Sequence, residues 1–158
     1  MKHISQIFVF SLGEQRFGLD LDIVQRIERS VEITRIPEAP PLISGIIDYH
    51  GTILPVYDLR KKLGLPVKPV SVSMRLIIVS TSERPLVLLA DTAEGVMKVP
   101  KDGVTSCEDL ERGLAQESFV RLDDGIIFIY DVDRFLSSQD SIELGIALKR
   151  FEGKMEES

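Results

Sequence analysis

Few side chains in this 158-residue sequence stand where they could do chemistry. The densest group is Asp48-Tyr49-His50, two ionisable residues around a phenol at the apparent bend of "SGIIDYHGTILPVYDLRKKLGL", residues 44–65. Asp131 and Asp133 have the types for a general acid and base. They also sit where "IIFIY" passes into "DVDRFL", the position of carboxylates that cap a turn. Cys107 is the single cysteine, and with no histidine near it in sequence it reads as an inert thiol rather than an activated nucleophile. The two histidines, His3 and His50, are too few for a multi-histidine metal site. Glycine-rich phosphate loops, H-E-x-x-H, G-x-S-x-G and paired C-x-x-C motifs do not occur. The expectation is a protein that is not an enzyme, with no cofactor and no metal. The bend residues then face a partner or are solvated turn residues.

The elements that must position these residues follow from composition and pattern. A 44% hydrophobic chain of this length suits one domain over 1–158. A formal charge of −6 with scattered Lys and Arg excludes nucleic acid as a partner, because phosphate binding needs a concentrated cationic face. One cysteine excludes an intrachain disulfide and suits a reducing compartment. The amino-terminal apolar stretch is too short for a signal peptide, and no run nears the roughly 18 apolar residues of a spanning helix. The chain is therefore expected to be cytoplasmic, without direct membrane insertion.

Period-2 and short continuous apolar runs predict a mainly β fold. "IFVFSL" (7–12) is a strand. In "DLDIVQRIERS" the recurrence of Leu19, Ile23 and Ile27 with Val24 predicts a helix capped by Asp20 or Asp22. "LISGIIDY" and "TILPVYD" flank Tyr49-His50-Gly51, where glycine suits a tight reversal, and Pro55 suggests an edge or a bulge. "DLRKKLGL" reads as a short helix between Asp58 as N-cap and Gly64. After the linker "PVKPVSVS" come strands "RLIIVSTS", "PLVLLAD", "EGVMKVP", "SFVRL" and "IIFIYD", the last two joined through Asp124-Gly125. The polar "KDGVTSCEDLERGLAQE" among them reads as loop with some helix. The expected organisation is two strand-rich lobes, about 14–66 and 74–136, with strand 7–12 added. A C-terminal helix over about 140–156 carries the stripe Leu144, Leu148, Phe151 and Met155, with Asp140 and Glu143 as cap and N3 partner.

From Phe8 to Leu136 the order "FVFSLGEQRFGLDLDIVQRI", "ITRIP", "PPLISGIIDYHGTILPVYDLRKKLGL", "RLIIVS", "PLVLLADTAEGVMKV" and "DDGIIFIYDVDRFL" resembles the CheW family of chemotaxis coupling proteins. The most specific element is Gly45-Ile46-Ile47, Gly51, Ile53-Leu54-Pro55-Val56 and Asp58-Leu59, which meets that family's pattern at every fixed position. The resemblance implies two interlocked five-stranded β-barrels and a scaffold without chemistry of its own. Such an adaptor joins the cytoplasmic tip of a methyl-accepting chemoreceptor to the regulatory domain of the histidine kinase CheA. It further implies that the receptor's helical hairpin lies in an apolar groove between the barrels. The matching positions are Val24 and Ile27 on the first helix and Ala93 with Val96 in "ADTAEGVM".

Two departures from the family pattern fall near that groove. Asp48-Tyr49-His50-Gly51 replaces the usual Asn-Leu-Arg-Gly, and Arg26 stands where an acidic residue is common. A neutral imidazole has one donor where a guanidinium has five in a planar fork, so His50 does not reproduce a bidentate contact. Asp48 and His50 are accordingly candidate partner-binding residues. The alternative is a divergent module that has lost standard receptor coupling and acts by self-association through the C-terminal helix or in another two-component-type pathway. A ligand-binding or catalytic barrel is the third class.

Overall fold

The computed structural model describes residues 4–99, 104–106 and 116–157, without the side chains of 104–106, 116–117 and 154–157. Its strands are β1 Gln6–Leu12, β2 Gln15–Asp20, β3 Val24–Arg29, β4 Ile43–Tyr49, β5 Thr52–Tyr57, β6 Arg75–Val79, β7 Leu86–Ala90, β8 Thr92–Lys98, β9 Val104–Ser106, β10 Gln116–Leu122 and β11 Gly125–Tyr130. Helix α1 is Leu59–Leu63 and helix α2 is Ser138–Glu157, and 3₁₀ turns occupy Leu21–Ile23 and Val132–Arg134. The mainly β class with short helices and a C-terminal helix is as the sequence indicates. Cys107 and His3 lie outside the described residues, as does most of the polar 101–117 segment. Its described residues, Val104–Ser106 and 116–117, are in strands rather than loop or helix.

Two sheets form, a six-stranded one in the order β8-β1-β2-β11-β10-β9 and a five-stranded one in the order β3-β6-β7-β5-β4. Both are open rather than closed barrels. The five-stranded sheet comes near to closure where Thr34, beyond β3, bridges to Ile46 in β4. Each sheet takes strands from both sides of residues 66–73, so the lobes 14–66 and 74–136 do not correspond to the two sheets. The cause is four contacts between strands remote in sequence, β8 on β1 and β6 on β3 antiparallel and β11 on β2 and β7 on β5 parallel. Tight turns between neighbours carry no trace of such pairings.

The main core lies between the sheets. Phe8, Phe10, Phe17 and Leu19 from one sheet meet Ile77, Val79, Leu86 and Leu88 from the other, with Tyr57, Phe135 and Leu144. Alternate residues of β1 and β6 fill separate clusters on the opposite faces, Ile7 and Val9 in one and Leu76 and Ile78 in another. Burial on both faces is why "IFVF" and "LIIV" are continuous apolar runs. Tyr57, fully buried, stacks on Phe135 with ring centroids 4.6 Å apart, and its hydroxyl donates to the Phe135 carbonyl at 3.0 Å. Tyr57→Phe should keep the stack and orphan that carbonyl. Urea denaturation is expected to give a loss of about 1 kcal/mol with unchanged m.

The helix expected over "DLDIVQRIERS" is instead a 3₁₀ turn followed by strand β3. Asp20 does cap, accepting from the Asp22 amide at 3.0 Å, but the cap opens only that turn. Between Val24 and Arg26 the register on β6 shifts, leaving Gln25 as an extra, bulged residue. A bulge puts residues three apart on one face of a strand, so Val24 and Ile27 imitate a helical spacing. The β-branched Ile23, Val24 and Ile27 favour the extended form.

Helix α1 is as expected, with Asp58 accepting from the Lys61 amide at 2.9 Å and Gly64 left-handed at φ 69°. Helix α2 starts earlier than expected. Its cap is Ser137, whose hydroxyl accepts from the Asp140 amide at 3.0 Å, and Asp140 lies in the first turn. Leu144 and Ala147 are buried, and Leu148 and Phe151 pack against the same clusters, so the stripe lies on the protein's own sheets. The Met155 side chain is outside the described residues.

Candidate partner-binding site

Strand β3 is an edge of the five-stranded sheet and β8 an edge of the six-stranded one. Cross-strand partners share a face, so register fixes where the side chains point. Val24 is opposite Val79 and Ile27 opposite Ile77, both members of the inter-sheet core. On the other edge Ala93 is opposite Phe10 and Val96 opposite Phe8, again members of that core. A register shift between Val9 and Phe10 makes Glu94 the extra residue there, and Glu94 pairs with Arg16 at 3.3 Å. The two bulges thus turn Val24, Ile27, Ala93 and Val96 toward the inter-sheet side. Val24 and Ala93 are half-buried against the core cluster. Ile27 at 36% and Val96 at 55% remain exposed, one on each edge.

The bend lies elsewhere. His50 and Gly51 form a two-residue loop between β4 and β5, both left-handed at φ 52° and 90°, as a type I′ hairpin requires. Asp48 Oδ1 accepts from the Gly51 amide at 2.9 Å, so this carboxylate has a turn-forming task. Tyr49 ties the tip to β3. Its hydroxyl donates to Glu28 Oε1 at 2.8 Å, and its ring meets His50 edge-on at 4.5 Å. The hydrogen bond to the Glu28 carboxylate, aided by burial, raises the phenol above its usual pKa against the opposing charge of Arg26. Arg26 and Glu28 face away from Ile27, being opposite Ile78 and Leu76. Asp48 and His50 are exposed, but they are at a tip joined to the face of β3 opposite the one that carries Val24 and Ile27.

A buried ionic junction also escaped sequence reading. Asp91, between β7 and β8 with its side chain 10% exposed, meets Arg60 Nη2 at 2.5 Å, the Gly13 amide at 2.7 Å and Lys68 Nζ at 3.4 Å. Burial alone would raise this carboxyl, but the Gly13 amide, Arg60 and Lys68 outweigh it and hold the group below its ordinary range. Its partners are too distant in sequence to be visible as a motif. Asp91→Asn should lower stability at pH 7 by about 2 kcal/mol, since hydrogen bonds to a charged group are lost. A carboxyl depressed in the folded state contributes fully above its unfolded pKa of about 3.9 and loses that contribution as pH falls through the folded value. Melting curves of wild type and variant should therefore converge below about pH 4; a gap that stays constant would refute the ionic account.

Among the described residues no group of three or more His, Cys, Asp and Glu is placed to hold a metal ion. No described helix is long and apolar enough to cross a membrane. The family model of the CheW-like domain matches residues 6–140. The chain is 26% identical to the chemotaxis protein CheW of Bacillus subtilis over 139 residues, 86% of this chain and 89% of that protein. It is also 26% identical to the chemotaxis protein CheW of Klebsiella aerogenes over 143 residues, 85% and 83% of the two chains. Among solved structures, the scaffolding protein TtCheW of Thermoanaerobacter tengcongensis superposes with a TM-score of 0.77 at 30% identity, covering 87% of this chain and 96% of that one.

Proposed function

The chain belongs to the family of CheW-like domains, and from that premise we propose that it is a non-catalytic chemotaxis adaptor in the cytoplasm, coupling a chemoreceptor tip to the regulatory domain of the histidine kinase CheA. The observation that carries the reading is the pair of apolar edges. Ile27 and Val96 stand exposed beside half-buried Val24 and Ala93, all turned to the inter-sheet side. A receptor's helical hairpin presents apolar residues at i, i+3, i+4 and i+7, which the exposed side chains of these edges can meet without backbone pairing. Self-association through the Leu144 stripe is not supported, because Leu144, Leu148 and Phe151 already pack on the protein's own core clusters.

Reconstitution tests the proposal. Adding the protein to its cognate CheA and a receptor fragment in membrane discs should raise kinase autophosphorylation and bring all three into one sedimenting complex. Normal kinase output with this chain left in the supernatant would reject the adaptor role. The bend modulates affinity rather than creating it. His50→Arg should tighten binding to a receptor tip of the standard type about threefold, the scale of one added exposed contact. Isothermal titration of both forms measures it, and equal affinities would make His50 a turn residue only.

A further inference from the structure

A groove on another part of the surface has the character of a second binding site. Its two chambers, of about 290 and 320 Å³, share Arg35, Ser44 and Asp58 as common walls. Val56, Met74 and Leu89 line the first chamber, which Val67 and Val70 of the 66–73 segment border. Val56 and Leu89 belong to the Leu76 and Ile78 side of the five-stranded sheet, opposite the side that carries Ile27. The groove is therefore separate from the apolar edges.

Its charge runs against that of the molecule. The chain carries −6, yet residues 58–75 hold Arg60, Lys61, Lys62, Lys68 and Arg75 against the single carboxylate Asp58. Arg35, Arg60, Lys61 and Lys68 line the two chambers. Two of the three carboxylates there are in ion pairs, and Asp58 keeps its charge while capping α1. Asp91 is held by Arg60 and Lys68, Asp58 accepts from the Lys61 amide, and Glu38 pairs with Arg150. Among the described residues Arg35 makes no ion pair, and the one partner of Lys61 Nζ is the Pro41 carbonyl, at 3.1 Å. Cations are left facing solvent around an apolar chamber.

We propose that this groove docks an extended acidic polypeptide segment, with one aliphatic side chain seated in the Val56, Met74 and Leu89 chamber and its carboxylates beside Arg35 and Lys61. Charge complementarity selects the partner. The concave, apolar interior does not suit a flat lipid surface. No aromatic platform for stacked bases lines it apart from the Tyr57 ring, which is committed to Phe135, so single-stranded nucleic acid is not the occupant.

The test uses a fluorescein-labelled nine-residue peptide of alternating Glu and Ser with a central Leu, and fluorescence anisotropy with the full chain. Binding is expected, weakening about tenfold between 50 and 300 mM salt as screening sets in. Replacing the central Leu by Ser should weaken it about tenfold more, the scale of one buried aliphatic anchor. Arg35→Glu with Lys61→Glu, both exposed, should also weaken it at least about tenfold while leaving the melting temperature and receptor-fragment binding unchanged. Ile27→Asp should not affect it. The proposal is overturned if the peptide does not bind, if charge reversal has no effect, or if Ile27→Asp weakens the peptide equally. It is likewise overturned if phosphatidylserine vesicles, and not the peptide, show the Arg35 dependence, or if reversal dissolves a dimer seen in sedimentation.

Discussion

Ile27→Asp combined with Val96→Asp should abolish binding of a receptor-tip fragment without unfolding the protein. Both side chains are exposed, at 36% and 55%, so an added carboxylate stays in water in the free molecule. In a complex each would be buried against apolar helix residues, and a buried unpaired charge is far less favourable than the methyl groups it replaces. Central anchors of this kind contribute about 2 kcal/mol or more each, so the double variant should lose at least about a hundredfold in affinity. Val24→Asp and Ala93→Asp test the other half of the geometry. These positions pack against the inter-sheet cluster, and aspartate there should lower the melting temperature as well as binding. Titration calorimetry alongside thermal unfolding separates the cases. A folded double variant with wild-type affinity would remove the edges from the interface.

The mainly β class and most strands were legible because strands buried on both faces and hairpins closed by glycine leave local marks, as "IFVF" and Tyr49-His50-Gly51 do. The Asp124-Gly125 signal located its hairpin within a residue, the loop being Asp123-Asp124 with Leu122 opposite Gly125. What failed was local in appearance but set by pairing. Val24 and Ile27 share a face because Gln25 is bulged against β6, and the resulting spacing in "DLDIVQRI" imitates a helical turn, with only the β-branched Ile23, Val24 and Ile27 to argue against it. The division of strands between sheets was hidden for a related reason. Parallel pairs such as Val56 with Val87 are specified by packing in three dimensions, with no turn residue to announce them. The four apolar site positions came from family resemblance. Their common orientation depends on two bulges, of which only the one beside Gly95 has a residue-type mark, and the Asp91 junction gathers partners as remote as Gly13 and Arg60.

Gly45→Ala is expected to be among the most damaging single-methyl additions in the described fold, and the reason lies in the same motif as the bend. A Cβ at Gly45 would stand 2.4 Å from the Thr34 carbonyl oxygen and 2.8 Å from Ile33 Cγ2. The nearer obstacle is backbone, which no side-chain rotation can clear. That carbonyl also accepts from the Ile46 amide at 2.8 Å, while Thr34 donates to the Ile46 carbonyl at 2.9 Å. Relieving the clash therefore separates the segment after β3 from β4 and opens the near-closure of the five-stranded sheet. Overpacking with loss of the two bonds should lower stability by about 3 kcal/mol or more. Gly51→Ala is the control within the same hairpin. Nothing lies within 4 Å of a Cβ there, and only the positive φ of 90° opposes it, a strain of about 1 kcal/mol. Urea denaturation of the two variants should rank them in that order. Equal losses would mean that the first glycine of the motif serves backbone conformation alone; the expected gap would show that it admits the Thr34 segment against β4.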